Sequence, residues 1–290
     1  MKDFTDKVAV ITGGASGVGR ALATRFGRAG ARLVLADIEQ EPLEATVAAL
    51  REQGFAAIGQ VTDVADPAQV EALAARAFAE FGAVHLLFNN AGVGAGGGPS
   101  LWETSTNAWS WGFNVNFWGV MNGINAFMPR LLEQNQEAHV VNTSSGVGLL
   151  FPPSSGVYSI TKAAVIAATE LLHMQLQMQR GPVKAAVLFP GPYVVETNLF
   201  SSTRNRPSAL SAGEAPPAVN SLEDMQAMME KTLGRRIQTS TPAAVAEYTY
   251  QALLQDQFWI LPMHDRFRHA LRERFEGMLN QRNPTIPDIL

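Results

Sequence analysis

The chain has 290 residues, of which 47% are hydrophobic and 17% charged, and it carries a formal net charge of −4. That composition supports a packed core, excludes low-complexity disorder, and gives no electrostatic reason to expect nucleic acid or an anionic membrane as partner. The absence of cysteine excludes disulfides, thiolate catalysis and cysteine-held zinc or iron–sulfur clusters together.

In chain order, short runs rich in Val, Ile and Leu fall at 8–11, 33–36, 57–61, 85–89, 139–142, 183–189 and 258–261. Near-continuous apolar runs of this length are what a sheet buried on both faces requires. Helical spacing fills the intervals at 18–30, 42–53, 67–81, 105–132, 157–179 and 242–255. Asp66-Pro67 and Thr241-Pro242 read as N-caps with Pro in the first turn, and Gly30, Gly54 and Gly82 mark helix ends. Alternation of this kind predicts an α/β fold of the Rossmann type, a doubly wound parallel sheet of about seven strands with helices on both faces. One domain spanning 1–290 is expected, with a substrate loop or lid at about 192–235 and a helical extension at about 264–290. The polar, Pro-rich stretch 201–221 marks the mobile part of that loop. In the extension, Phe267, Leu271, Phe275 and Met278 share one face, read as core or subunit docking.

The first strand runs into a glycine loop from Thr12 to Gly19, with Gly13, Gly17 and Gly19 at G-x-x-x-G-x-G spacing. A pyrophosphate needs close backbone approach at a helix N-terminus, which glycine permits. Asp37, at the tip of the second strand, is placed to accept hydrogen bonds from ribose hydroxyls and to repel a 2′-phosphate. With Ile38 next to it, NAD is expected over NADP. Tyr158 and Lys162 stand four residues apart on one helix face, a phenol and an ammonium. A nearby ammonium lowers a phenol pKa, so this pair could serve as general acid/base during hydride transfer.

Upstream of that pair, the fifth strand ends in Thr143-Ser144-Ser145-Gly146. With Asn89-Asn90-Ala91-Gly92, Asp63-Val64 and Asn116 in the same order along the chain, the sequence resembles the short-chain dehydrogenase/reductase family over about residues 5–200. The resemblance implies a catalytic quartet of Asn116, Ser145, Tyr158 and Lys162. Tyr158 would be the acid/base and Ser145 would hold the substrate oxygen. Lys162 would bind the nicotinamide ribose and lower the Tyr158 pKa, and Asn116 would position a relay water. Ser144 competes with Ser145, and the thirteen-residue spacing to Tyr158 selects Ser145. Cofactor contacts are implied for Gly13, Ser16, Gly17, Val18, Gly19, Asp37, Ile38, Asp63, Val64, Asn90, Ala91, Gly92, Tyr158, Lys162, Pro190, Gly191, Val195 and Thr197. The family's P-G-x-V-x-T segment is here two residues longer, running from Pro190 to Thr197, so its path is open.

Leu150, Phe151, Tyr193 and Phe200 are candidate substrate residues, with Gly94–Gly98 and Met225, Met228 and Met229 as further lining. Their apolar character suits a hydrophobic secondary alcohol or ketone. Arg204 and Arg206 could meet a carboxylate or simply face solvent. The opening residues also resemble bacterial dehydrogenases of benzylic alcohols in aryl ethers. No metal is expected, since the five His show no ligand spacing. A Ser-x-x-Lys hydrolase at Ser159–Lys162 lacks its partner motifs, and a non-catalytic NAD sensor would have no use for the quartet. No apolar run reaches the ~18 residues of a membrane helix and no secretory signal is read, so a cytoplasmic location is expected. Surplus apolar residues on the helices at 105–132 (Trp109, Phe113, Phe117, Met121) and 157–179 (Ile166, Leu171, Leu172, Met174) predict a homo-oligomer, a tetramer in preference to a dimer.

Overall fold

A computed structural model describes residues 1–95, 100–211, 219–234 and 236–288. Gly96, Gly97 and Gly98 of the expected pocket lining, and 212–218 of the expected lid, lie outside them.

In chain order the strands and helices are β1 (Val8–Thr12), α1 (Gly17–Arg28), β2 (Arg32–Asp37), α2 (Gln40–Glu52), β3 (Ala57–Val61), α3 (Pro67–Phe81), β4 (Leu86–Asn89), α4 (Thr106–Phe113), α5 (Gly119–Gln134), β5 (Ala138–Thr143), α6 (Val147–Leu150), α7 (Gly156–Gln179), β6 (Val183–Leu188), β7 (Val194–Val195), α8 (Ser208–Ser211), α9 (Leu222–Leu233), β8 (Thr239–Ser240), α10 (Pro242–Leu254), β9 (Trp259–Ile260) and α11 (Asp265–Leu279). Seven strands form one parallel sheet in the order β3-β2-β1-β4-β5-β6-β9. Helices cover both faces, and separate apolar clusters lie on either side. Leu22, Phe26, Leu35 and Phe88 belong to one, and Val10, Val34, Leu87, Phe127 and Val140 to the other. The alternation of these residues along single strands is the period-two pattern of a sheet buried on both sides. The chain reverses direction across the sheet between β1 and β4, which places the ligand crevice at their carboxyl ends.

Helix starts follow the sequence signals. Asp66 accepts from the Ala68 N–H ahead of α3, with Pro67 in the first turn, and Thr241 accepts from Ala244 ahead of α10. Two expectations change. The helix expected over 105–132 carries within it a π-helical turn at Asn114–Trp118, between α4 and α5, with helical backbone throughout. A single such turn adds one residue, too brief a break to stand out from the apolar spacing on either side, and π-turns recur at functional sites. The second change is a small parallel pair, β7 with β8, that joins the lengthened segment after β6 to the residues before α10. Two-residue strands are too short for any alternation to announce them.

Candidate active site

The glycine loop is held from below by Thr12. Its hydroxyl accepts hydrogen bonds from the backbone N–H groups of Asn90 (2.9 Å) and Ala91 (3.0 Å), while the Asn90 side-chain amide donates to the Thr12 carbonyl at 3.0 Å. The turns after β1 and β4 therefore form one unit. Thr12 is the hub that the sequence reading passed over, because a hydroxyl at a strand end has no pattern of its own. Gly13 and Gly17 adopt φ of 65° and 50°, the left-handed region. At Gly19 a Cβ would stand 2.0 Å from the Gly13 carbonyl, so α1 must start with glycine to pack against its own loop. Ser16 precedes α1 without donating or accepting a side-chain cap bond, and Val18 is buried in the first turn. The first N–H groups of α1 are thus left to an anionic ligand.

Asp37 ends β2 with each oxygen on a backbone donor, Oδ2 on Ala15 N–H (3.0 Å) and Oδ1 on Glu39 N–H (3.1 Å). Burial raises its pKa above the ordinary carboxylate value, against these hydrogen bonds. Each carboxylate oxygen keeps a lone pair for a ribose hydroxyl. Ile38 is exposed beside it. At the end of β3, Asp63 accepts from the Ala65 N–H at 2.9 Å and Val64 is buried against Gly119. The loops after β1, β2, β3 and β4 so form a cradle whose glycines and carboxylate fit a dinucleotide.

On the other side of the crevice, Ser145 hydrogen-bonds the Tyr158 hydroxyl, and both residues are half-buried. Ser144 is committed elsewhere. Its hydroxyl donates to the Lys162 carbonyl at 2.8 Å in the core, which leaves Ser145 as the serine of the site. Lys162 is buried at 3% exposure, and its Nζ donates to the Thr143 carbonyl at 2.9 Å, 5.7 Å from the centre of the Tyr158 ring. Burial lowers the Lys162 pKa to about 8. Burial also raises the Tyr158 hydroxyl to about 12, with Ser145 acting in the opposite direction. Desolvation is the larger influence on this hydroxyl, and the Lys162 ammonium lies across the ring and bonds to Thr143.

Asn116 sits in the π-turn, fully buried. Its Oδ1 accepts from the Val93 N–H at 2.8 Å, and its Nδ2 donates to the Val93 carbonyl (3.0 Å) and to Thr161 Oγ1 (3.1 Å). The amide therefore holds the loop after β4. Gly92 fits between this amide and Lys162, since a Cβ there would lie 3.3 Å from both Asn116 Oδ1 and Lys162 Nζ. The four expected catalytic residues thus converge through three elements, with Ser145 and Tyr158 in direct contact.

The lengthened segment runs through a cis Gly191–Pro192 bond. Gly191 N–H donates to the Tyr248 hydroxyl at 3.1 Å, and that hydroxyl donates to the Phe189 carbonyl at 2.9 Å. Tyr193 N–H donates to Ser240 Oγ before Val195 pairs with Ser240. Pro190 is half-buried, and Thr197 packs its methyl group where a Gly17 Cβ would lie, 3.0 Å away. Of the four expected substrate residues, Leu150 is 4% exposed and points into protein. The Phe151 ring carries the Arg274 guanidinium 4.6 Å from its centre, and Phe200 is half-buried in a 3-10 helix at Asn198–Asn205. Tyr193 stacks on His264, with centroids 5.1 Å apart and planes 9° apart. His264 and Phe267 were not anticipated at the site. His264 caps α11 by accepting from the Phe267 N–H, and Phe267 lies over Gly146, where a Cβ would be 2.7 Å from its ring. The first turn of α11 therefore adjoins the Ser145 loop, a tertiary contact with no local signal.

A family model described as short chain dehydrogenase matches residues 7–207. The C alpha-dehydrogenase of Sphingobium sp. (strain NBRC 103272 / SYK-6) is 31% identical, over 99% of this chain and 90% of its own. The CLA biosynthesis dehydrogenase/reductase of Lactiplantibacillus plantarum is 28% identical over 99% and 98%. Among solved structures, a short chain dehydrogenase/reductase from Burkholderia phymatum in complex with NAD aligns with a TM-score of 0.89 and 44% identity, covering 99% of both chains. The seven-stranded parallel sheet agrees with these structural neighbours, and the chain belongs to the short-chain dehydrogenase/reductase family of oxidoreductases.

Proposed function

We propose that the protein is an NAD-dependent dehydrogenase that interconverts a hydrophobic secondary alcohol and its ketone. The observation that carries this reading is the Tyr158 hydroxyl, hydrogen-bonded to Ser145 at the carboxyl edge of the sheet with buried Lys162 across its ring. Gly13, Ser16, Gly17, Val18 and Gly19 would hold the pyrophosphate, Asp37 and Ile38 the adenosine ribose and its surroundings, and Asp63 and Val64 the adenine. Asn90, Ala91 and Gly92 would support the nicotinamide half, with Pro190, Gly191, Val195 and Thr197 closing on it. When bound, NAD supplies the hydride acceptor. In alcohol oxidation Ser145 holds the substrate oxygen while Tyr158 takes its proton and the carbinol hydrogen leaves as hydride, and ketone reduction reverses both transfers. Lys162 holds the nicotinamide ribose, and Asn116 fixes the Val93 loop and keeps an Oδ1 lone pair with which to position a relay water.

Burial holds Tyr158 protonated at neutral pH, which favours it as the acid for ketone reduction. The oxidative direction gains from added positive charge in the site and from rising pH. NAD over NADP is supported by Asp37 and by the NAD bound to the Burkholderia phymatum relative. An apolar, benzylic substrate is supported by Phe151 and Tyr193 beside the site and by the C alpha-dehydrogenase relative. A homo-oligomer, a tetramer before a dimer, is supported by Trp118, Leu171 and Met174, each about half exposed on α7 or on the turn into α5. Ile166 and Leu172, counted toward that face from the sequence, are buried in this chain's own core instead. Among the described residues no helix is long and apolar enough to cross a membrane.

The deciding experiment is absorbance at 340 nm with NAD and a panel of aryl, alicyclic and aliphatic secondary alcohols, run in reverse with NADH and ketones. Turnover that is faster with NAD than with NADP, and fastest on aryl alcohols, is expected. Saturable NADH binding without turnover across the panel would favour the sensor. Light scattering gives the assembly, and a mass near 31.2 kDa would contradict the oligomer.

A further inference from the structure

We propose that Arg204 is a cofactor-retaining residue whose ion pair with Glu39 clasps residues 197–206 across the dinucleotide crevice. The inference rests on the nicotinamide-dinucleotide reading given above. The segment is tied down at each step. Thr197 packs on Gly17, and Ser202 Oγ accepts from the Gly94 N–H at 2.9 Å. Arg204 donates from Nε to Glu39 Oε1 at 2.9 Å and from Nη2 to Oε2 at 2.5 Å, and Asn205 also hydrogen-bonds Glu39. The Arg206 guanidinium then lies 5.3 Å from the centre of the Trp111 ring.

Gly17, Glu39 and Gly94 belong to the loops after β1, β2 and β4, three adjacent strands flanking the point where the chain reverses direction. A segment that packs on the first of these loops and bonds to the other two crosses the crevice in which a dinucleotide lies in this architecture. A cofactor on those loops leaves only when the bridge lifts. The far end of that bridge is held chiefly by this fork-to-fork contact between residues 165 positions apart, with Asn205 as a further bond to Glu39.

The guanidinium is pre-set for this contact. Its Nη1 donates to the Ser201 carbonyl and hydroxyl (2.9 and 3.0 Å) and to the Asn198 carbonyl (3.3 Å), so the fork is fixed before it meets the carboxylate. Both partners remain partly exposed, Arg204 at 37% and Glu39 at 23%, so water and salt reach the pair and it opens reversibly. Arg204 thus has a carboxylate partner within the chain.

The test uses the full-length protein with R204M, E39Q and the double variant. NADH binding is followed by fluorescence, and its release by stopped-flow displacement with excess NAD at low and high salt. Release is expected to be about tenfold faster in R204M and in E39Q, and no faster in the double variant, as for residues acting as one pair. Salt should accelerate release from the wild type and leave the variants unchanged. Release within twofold of wild type in R204M would overturn the clasp. Additive effects of the two substitutions, or a loss confined to NADPH binding in R204M, would also overturn it and make Arg204 a direct phosphate contact. Absence of saturable NADH binding to the wild-type protein would overturn the cofactor reading itself, and the clasp with it.

Discussion

The loops that follow β1 to β5 and the loops that follow β6 and β9 meet at one edge of the sheet, yet they are secured by different means. In the first group, polar side chains are spent on neighbouring backbone. Thr12 holds the turn after β4, Asn116 holds Val93, and Ser144 holds α7. In the second, two-residue strands, a 3-10 helix, a Tyr193–His264 stack and an exposed ion pair suffice. The family model's match also ends at residue 207, inside the second group. The comparison teaches that the first group is over-determined by buried bonds. The second hangs more on exposed side-chain contacts, which change cheaply.

The sharpest way to break the first region is at its chemistry. Tyr158→Phe keeps the ring and removes the transferable proton, so turnover should fall by ~10²–10⁴ while NADH binding stays near wild type. Retention of more than a tenth of the rate would remove Tyr158 from the mechanism. A structural counterpart lies at Gly123 on α5, where a Cβ would fall 2.0 Å from the buried Asn89 Oδ1. Asn89 donates to Asn142, which donates to Thr169, so the clash strains a whole buried chain of bonds. Gly123→Ala should cost about 3 kcal/mol by urea unfolding, and a midpoint unchanged from wild type would show that the region yields more easily than argued.

A control from the opposite edge of the sheet uses His139, the second residue of the wholly buried β5, which is 2% exposed. Burial lowers its pKa from 6.5 to about 4, among the charges of the Met1 amino group, Asp256, Lys184 and Glu137. Because the folded value is the lower one, the unfolded chain takes up the proton first. Stability from this group is therefore present above about pH 6.5, is lost as pH falls toward about 4, and totals about 3 kcal/mol. His139→Gln should flatten that part of the stability–pH curve, measured as urea midpoints between pH 7 and pH 4.

Cofactor choice should respond more modestly. Asp37→Asn removes the charge but keeps an acceptor for the glycine loop, so the NAD-to-NADP preference should drop by about tenfold, mostly through the NADP KM. Equal use of both cofactors by the unmodified protein would void the Asp37 argument. The smallest effect belongs to the second region. Tyr193→Ala removes the stack on His264 and should cost no more than about 1 kcal/mol, while altering KM across an aryl substrate series more than it alters stability. A loss of several kcal/mol would mean that the substrate side is as firmly built as the cofactor side.

Much of the first region was legible from the sequence because its information is local. Buried parallel strands read as apolar runs, left-handed turns demand glycine at Gly13 and Gly17, and Tyr158 and Lys162 share a face through helix periodicity alone. The identity of the working serine could be chosen by spacing, but the reason lies in space, since Ser144 is consumed by a carbonyl eighteen residues away. The setting of the Tyr158 hydroxyl is likewise decided in space. A four-residue spacing places the ammonium nearby but says nothing of the desolvation that dominates.

What the sequence determined by itself was the sheet, the glycine loop, the acidic residue at the tip of β2 and the family. The first three follow from backbone sterics or from a pattern contained within one element, and the family from the resemblance of motifs in their order along the chain. Tertiary structure alone decided the π-turn that buries Asn116, the β7–β8 pair, the seating of Phe267 on Gly146 and the reach of Arg204 to Glu39. Those depend on which separate surfaces meet, and contacts between residues tens of positions apart or more leave no local pattern, because their partners are chosen by the packing of the whole chain.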